Sequence, residues 1–312
     1  MRAVTIRDAQ LSVEDHPDPT PGAGEVLVRV KAAGLNGADS MQLHGHYPAP
    51  LGAPQDIPGL ELAGEVIEPG RGALRFKAGD RVMSIVAGGG QAELAVVHER
   101  ILMPVPENLT WPQAGGVPEV FTTAHDALFT QAQLKAGERL LVHGGAGGVG
   151  TAAIQLGRTA GARVTATVRN VAARPEIEAL GADVIDPEGF AEHGPFDVIL
   201  ELVGAPNLEQ NLAALNILGR VAVIGISAGA KGEVNLGMLM GKRARIHGST
   251  LRPRSLEDKA ATARALERSV LPLLAAGAIV VPITATFPLG EAVAAYDRFT
   301  QGGKVGKIVL EM

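Results

Sequence analysis

The chain has no cysteine among its 312 residues. That excludes disulfides, a thiolate nucleophile and any cysteine-ligated zinc, and it suits a reducing cytoplasm, the expected compartment. Aromatics are scarce, with two Tyr, one Trp and seven Phe, so a substrate surface built here is expected to be largely aliphatic. No apolar run reaches the length of a transmembrane span. The opening Met1-Arg2-Ala3-Val4-Thr5-Ile6 reads as a strand and lacks the long apolar core of a secretory signal. Positive charge is not in excess either: the net charge is −5, which argues against nucleic acid, whose phosphates recruit basic patches. The densest basic group, Lys242, Arg243, Arg245, Arg252 and Arg254, reads as a solvated edge. Metal-binding spacing is missing too. His44 and His46 flank Gly45 but have no convincing third ligand, which leaves a proton-relay role open to one of them.

What is present is length enough for two cores and a change of rhythm part-way along. The first third is rich in Gly and Pro, with short β-like runs such as Val26–Val30 and Leu62–Ile67 set between turn signals. Thr110-Trp111-Pro112-Gln113 reads as a helix start. From Arg139 onward, apolar strand-like runs (Arg139–His143, Arg163–Val168, Ala182–Ile185, Asp197–Leu202, Arg220–Ile226, Arg245–Ser249) alternate with helix-like segments. Such alternation predicts an α/β fold with a parallel sheet covered on both faces. A long helical stretch, Leu256–Ala276, carries Pro272 as a kink or break and stops at Gly277. The tail returns to β character at Ile279–Phe287 and Gly306–Leu310, with a helix at Leu289–Phe299 between.

The sharpest local signal is Leu140-Leu141-Val142-His143-Gly144-Gly145-Ala146-Gly147-Gly148-Val149-Gly150, an apolar strand feeding a glycine-rich turn and then a helix. Gly145, Gly147 and Gly150 meet the G-x-G-x-x-G spacing. The first glycine permits a tight turn, the second a close approach to a pyrophosphate, and the third close packing of helix on strand. The helix N-terminus offers free N–H groups and the positive end of its dipole. The segment Gly145–Gly150, including Ala146, Gly148 and Val149, is therefore a candidate nicotinamide-dinucleotide site. The next strand ends Thr165-Ala166-Thr167-Val168-Arg169-Asn170, without the Asp or Glu that takes an NAD ribose. Arg169 and Arg174, with Asn170 beside them, either receive the 2′-phosphate of NADPH or stand as ordinary solvent-facing residues. Ile226, at the end of the run Arg220–Ile226, is a further candidate cofactor contact.

Several segments carry a family resemblance: Gly34-Leu35-Asn36-Gly37-Ala38-Asp39, Gly45-His46-Tyr47-Pro48, Pro58-Gly59-Leu60-Glu61-Leu62-Ala63-Gly64, Phe76–Val82, Pro118–Ala124 and Gly306-Lys307-Ile308-Val309-Leu310. With the glycine-rich turn, the sequence resembles, nearly end to end, a zinc-free medium-chain dehydrogenase/reductase of the quinone oxidoreductase (zeta-crystallin-like) group. The resemblance implies a GroES-like, mostly-β catalytic domain from residues 1–115 and 277–312, bracketing a Rossmann NADP-binding domain at 116–276. It implies a homodimer formed through an edge strand near Arg243–Leu251. Alcohol dehydrogenases of the superfamily place Cys, His and Cys where Asn36, Leu60 and Pro118 stand, so no metal is expected.

Without a Lewis acid to polarise an oxygen, the resemblance points to an NADPH-dependent reductase delivering hydride to a quinone or enone. A 2-enoyl thioester reductase and a non-catalytic NADPH-binding protein of crystallin or RNA-associated type are the alternatives. By the same resemblance, Asn36, Tyr47 and Thr122 line the nicotinamide and substrate site, and Lys304 adds charge near the cofactor. Tyr47 has two readings, a proton donor to a developing oxyanion or a packing aromatic. Asn36 and Thr122 are expected to position amide and carbonyl groups.

Overall fold

The computed structural model describes residues 1–312, and Cα proximity divides them into two compact units. The chain begins with an antiparallel hairpin of β1 (Arg2–Arg7) and β2 (Gln10–Asp15). Five strands follow: β3 (Glu25–Gly34), β4 (Glu61–Pro69), β5 (Arg81–Ile85), β6 (Leu94–His98) and β7 (Met103–Pro104). The short helix α1 (Gly37–Leu43) lies between β3 and β4. In β3 alternation is visible residue by residue: Val26, Val28 and Val30 point into a core with Leu62, Val66, Val82 and Leu102. Thr110 caps α2 (Trp111–Gly115) by accepting from the Gln113 N–H, with Pro112 in the first turn. Helix α3 (Pro118–His125) and one π-helical turn (Asp126–Gln131) come next.

The second unit opens with β8 (Arg139–Val142), α4 (Gly148–Thr159), β9 (Arg163–Thr167), α5 (Arg174–Ala179) and β10 (Asp183–Ile185). It continues with β11 (Phe196–Glu201), α6 (Leu208–Ala214), β12 (Leu215–Val223), α7 (Leu236–Lys242) and β13 (Arg245–Gly248). All six strands are parallel, in the order β10-β9-β8-β11-β12-β13. Strand order reverses between β8 and β11, so the topological switch point lies there. Leu140, Leu141 and Val142 in β8 and Val198, Ile199 and Leu200 in β11 are inaccessible to solvent. Burial on both faces is why these strands read as unbroken apolar runs.

The chain then forms α8 (Leu256–Ser269), α9 (Leu271–Ala275), β14 (Ile283–Pro288), α10 (Ala292–Thr300) and β15 (Lys307–Glu311). Pro272 marks the break between α8 and α9. Strands β14 and β15 complete a seven-stranded sheet, β14-β15-β3-β4-β5-β7, with β6 on β3. The compact units comprise Met1–Thr122, Leu251–Gly302 and Lys307–Met312 for the first, Thr123–Thr250 and Gly303–Gly306 for the second. These divisions, at 122/123 and 250/251, differ from the breaks at 115/116 and 276/277 that the resemblance implies. Helices α8 and α9 fall with the first unit because their side chains bond there: Arg75 with Glu267, Arg100 with Glu257, Arg264 to the Leu102 carbonyl, and Asn108 to the Leu274 carbonyl. No helix is long and apolar enough to cross a membrane.

One sequence expectation is overturned. The basic group at 242–254 is not a uniformly solvated edge. Arg252 is only 5% exposed, and Lys242 Nζ donates to the Ala213 and Leu215 carbonyls. Both stems carry their charge to backbone carbonyl oxygens, Arg252 to those of Ala87 and Tyr47.

Candidate functional site

The glycine-rich turn joins β8 to α4 at the carboxyl end of the sheet, beside the switch point. Its glycines are needed for reasons that differ from one another. Gly144, not Gly145, takes the left-handed backbone that turns the chain, with φ of 67°. Gly145 is small because a Cβ there would stand 2.8 Å from Ala166 Cβ of β9. A Cβ on Gly150 would lie 2.4 Å from the Gly144 carbonyl oxygen, so the helix can pack on the turn only as glycine. Gly147, the N-cap of α4, has an ordinary extended backbone, and a Cβ there would meet only the Gly144 oxygen at 3.5 Å. Nothing in the chain requires glycine at 147. A cradle that a side chain would fill, at the start of a twelve-residue helix, fits a pyrophosphate.

The tail segment Gly303–Gly306 belongs to this unit. Gly306 N–H donates to the Ala146 carbonyl at 2.9 Å and pairs in parallel with Gly147. A Cβ on Gly303 would stand 3.7 Å from Asn170 Nδ2. Lys304, half-buried, is thereby held on a segment running from Asn170 to the turn. Beyond β9, Asn170 caps a short 3₁₀ turn by accepting from the Ala172 N–H. Arg174 donates to the Val168 carbonyl and pairs with Asp186 at 2.7 Å. Arg169 is exposed and makes no side-chain hydrogen bond within the chain. Ile226, 43% exposed, follows β12 and borders the loop after β11: a Cβ on Gly204 would stand 3.0 Å from Ile226 Cα. The structure thus gathers all the sequence-predicted cofactor residues from 145 to 226, with Lys304, at the carboxyl edge of one sheet.

The first unit holds the remaining candidates. Lys307 is 2% exposed, and its ammonium donates to the Leu35 carbonyl, to Asn36 Oδ1 at 2.7 Å and to Glu61 Oε1 at 2.6 Å. Glu61, fully buried, also accepts from Asn36 Nδ2 and from the Glu119 N–H. Asn36 therefore spends both amide hydrogens inside the chain, on Glu61 and on the Gly34 carbonyl, leaving one lone pair of Oδ1 for a ligand. Next to it, Asp39 accepts from the N–H groups of Asn36 and Gly59. Burial pushes the Asp39 carboxyl up to about 6, against the downward pull of those bonds and of the Lys307 charge. The Thr122 hydroxyl is buried and has no partner within the chain, as a group kept for a ligand would be. Arg252 braces Tyr47: it donates to the Tyr47 carbonyl at 2.8 Å and to Gln42 Oε1 at 2.6 Å, and its guanidinium lies 5.1 Å over the Tyr47 ring. His44 turns its ring back to the Ser40 carbonyl.

Residues 22–107 match an alcohol dehydrogenase GroES-like domain and residues 148–267 a zinc-binding dehydrogenase domain. A quinone oxidoreductase of Rattus norvegicus is 31% identical over 304 residues, covering 94% of this chain and 90% of the relative. A mycobacterial protein solved in complex with NADPH superposes with a TM-score of 0.90 at 27% identity, covering all of both chains. A spectinabilin polyketide synthase system protein of Streptomyces orinoci is 34% identical over 305 residues, 93% of this chain and 13% of the relative.

The chain belongs to the quinone oxidoreductase group of the medium-chain dehydrogenase/reductase superfamily. It is an oxidoreductase, with the GroES-like and Rossmann domains that the resemblance implied. Where the resemblance places the zinc ligands of alcohol dehydrogenases, this chain has Asn36, a 3% exposed Leu60 and a buried Pro118. Those side chains do not fit a zinc ion, and no three His, Cys, Asp or Glu side chains are gathered elsewhere to hold one. Glu61, Lys307 and Arg252 were missed by sequence reasoning. The signal available was a charged residue inside an otherwise apolar run, at 61 beside Leu60 and Leu62 and at 307 before Ile308-Val309-Leu310.

Proposed function

We propose that this oxidoreductase uses NADPH to reduce a quinone or another conjugated carbonyl, an enone, without a metal. The observation that carries the reading is the Asn36–Glu61–Lys307 cluster, standing with Leu60 and Pro118 where the resemblance places the zinc ligands of alcohol dehydrogenases. All three Lys307 hydrogens are engaged within the chain, so nothing there polarises an isolated carbonyl. A quinone or enone is its own electron sink and makes no such demand. NADPH, when bound, supplies the hydride. The chain's part is to hold the pyrophosphate on Gly145–Gly150, to meet the 2′-phosphate with Arg169 framed by Asn170 and Arg174, and to offer Thr122, Ile226 and Lys304 as further contacts. Asn36 offers its remaining Oδ1 lone pair to a donor beside the substrate, which suits the nicotinamide amide, and Tyr47 acts on the substrate, assisting the proton. The reading takes the cytoplasm as compartment and a homodimer as state.

The test is a turnover screen of purified protein with NADPH and NADH against quinones, enones, enoyl thioesters and unconjugated ketones. Quinones or enones should be reduced, NADPH should bind more tightly than NADH, and chelators should leave turnover intact. Ketones reduced as fast as quinones would overturn the conjugation argument. The polyketide synthase relative favours one second reading, reduction of a 2-enoyl thioester, which selective turnover of the thioester would establish. NADPH binding with no turnover of any of these acceptors would favour a non-catalytic role.

A further inference from the structure

Beneath the glycine-rich turn lies a buried chain of polar side chains that the proposed function leaves unused. Glu201, at the end of β11 and 2% exposed, accepts from the Val203 and Gly204 N–H groups and from Asn207 Nδ2 and Asn211 Nδ2. With Asn211 Nδ2 committed to Glu201 at 2.7 Å, its Oδ1 faces His143 Nε2 at 2.8 Å and must be the acceptor. The His143 proton therefore sits on Nε2, and Nδ1 is left to accept from the Thr167 hydroxyl at 3.2 Å. Thr167 Oγ1 in turn accepts from the Gly144 N–H, and the Thr167 carbonyl from the Gly145 N–H. Every bond in the series has one direction. Burial holds the imidazole below its ordinary basicity, so it stands neutral in this role. Phe190 closes the far side, edge-on to the imidazole with centroids 4.5 Å apart.

The series crosses the switch point. One end fixes the turn after β8, the other the loop after β11, which Ile226 borders. We propose that His143 is a positioning residue for the dinucleotide: through Thr167 and Asn211 it locks the phosphate-binding turn and the Val203–Gly204 loop into one frame. This rests on the reading of that turn as the NADPH site. The frame holds the first N–H groups of the turn before the ligand arrives, so binding need not order them.

The test compares His143→Leu, Thr167→Val and Thr167→Ser by fluorescence titration of NADPH and by hydrogen exchange of the ligand-free protein. His143→Leu and Thr167→Val should each weaken NADPH on the order of tenfold, the scale of one buried donor or acceptor left unpaired. They should speed exchange at residues 144–150 and 203–204 more than in the rest of the sheet. KM for the acceptor should stay unchanged. Thr167→Ser, which keeps the hydroxyl, should restore both affinity and protection. Wild-type affinity in a folded Thr167→Val protein would overturn the proposal, as would exchange that rises uniformly across the unit with affinity unchanged. Should His143→Leu fail to fold, the Thr167 pair decides alone. Absence of any dinucleotide binding by the unaltered protein would instead overturn the reading of the turn, and the proposal with it.

Discussion

Asp39, fully buried, and Asn36, half-buried, take roles that their own stretch of sequence does not display. Both stand in a segment that carries the family resemblance, yet their roles come from partners far along the chain, Gly59, Glu61 and Lys307. Spacing along a sequence gives no access to such contacts. The consequence for Asp39 is measurable. Its carboxyl is raised by burial to about 6 in the folded protein, against about 3.9 unfolded. Between these values the folded state binds more protons than the unfolded one, so this group's contribution to stability falls as pH rises from 4 to 6 and is level above that. The total change is about 3 kcal/mol. Asp39→Asn removes the titration, so its unfolding free energy relative to the unaltered protein should rise by that amount between pH 4 and pH 7 in urea titrations. A difference independent of pH would contradict it. Tyr47 makes a prediction of another kind. Its acceptor carries the electron sink, so Tyr47→Phe should lower the rate by at most about a hundredfold. NADPH affinity, measured by fluorescence, should barely move.

The elements of the second unit were legible almost strand for strand. Two-sided burial writes continuous apolar runs, and helices between them leave turn signals at both ends. The reading was weaker where packing, not pattern, decides. Expected β character from Ile279 becomes strand only at Ile283, and the glycine that turns the chain is Gly144, one residue before the motif begins. The same local geometry bears out different demands on Gly147 and Gly150. Gly150→Ala drives a methyl into backbone atoms at 2.4 and 2.8 Å and should cost about 1–3 kcal/mol of stability, the usual penalty for overpacking, as well as NADPH affinity. Gly147→Ala finds an ordinary backbone conformation and ordinary contact. Its stability should be unchanged or higher by about 0.4–1 kcal/mol, while NADPH binding is lost. Unfolding curves and cofactor titrations on the two variants check this. Equal destabilisation of both would mean that Gly147 serves the fold and not a ligand.

At the scale of the whole molecule, the six-stranded sheet ends at β13, which has a partner on one side only. A parallel edge of this kind offers a row of unpaired N–H and carbonyl groups, a liability that proteins cover or use. The two elements that precede β13 carry exposed large apolar side chains: Ile217 and Leu218 on β12 are 61% and 53% exposed, Leu236 and Met240 on α7 66% and 76%. Isolated exposed apolar residues are ordinary, but a group beside an open edge marks an interface. A second copy presenting the same edge would satisfy both groups of atoms at once, by a twofold operation that closes and leaves no further edge. The chain should therefore run as a dimer of its 32.2 kDa subunit in light scattering at micromolar concentration. Leu236→Glu together with Met240→Glu should shift it toward monomer, since a carboxylate buried without a partner at an interface is strongly disfavoured. Thermal unfolding of the unaltered protein should then rise with concentration, and that of the double variant should not. A monomer mass for the unaltered protein would leave the apolar group without a copy to cover it and would set the twofold edge aside.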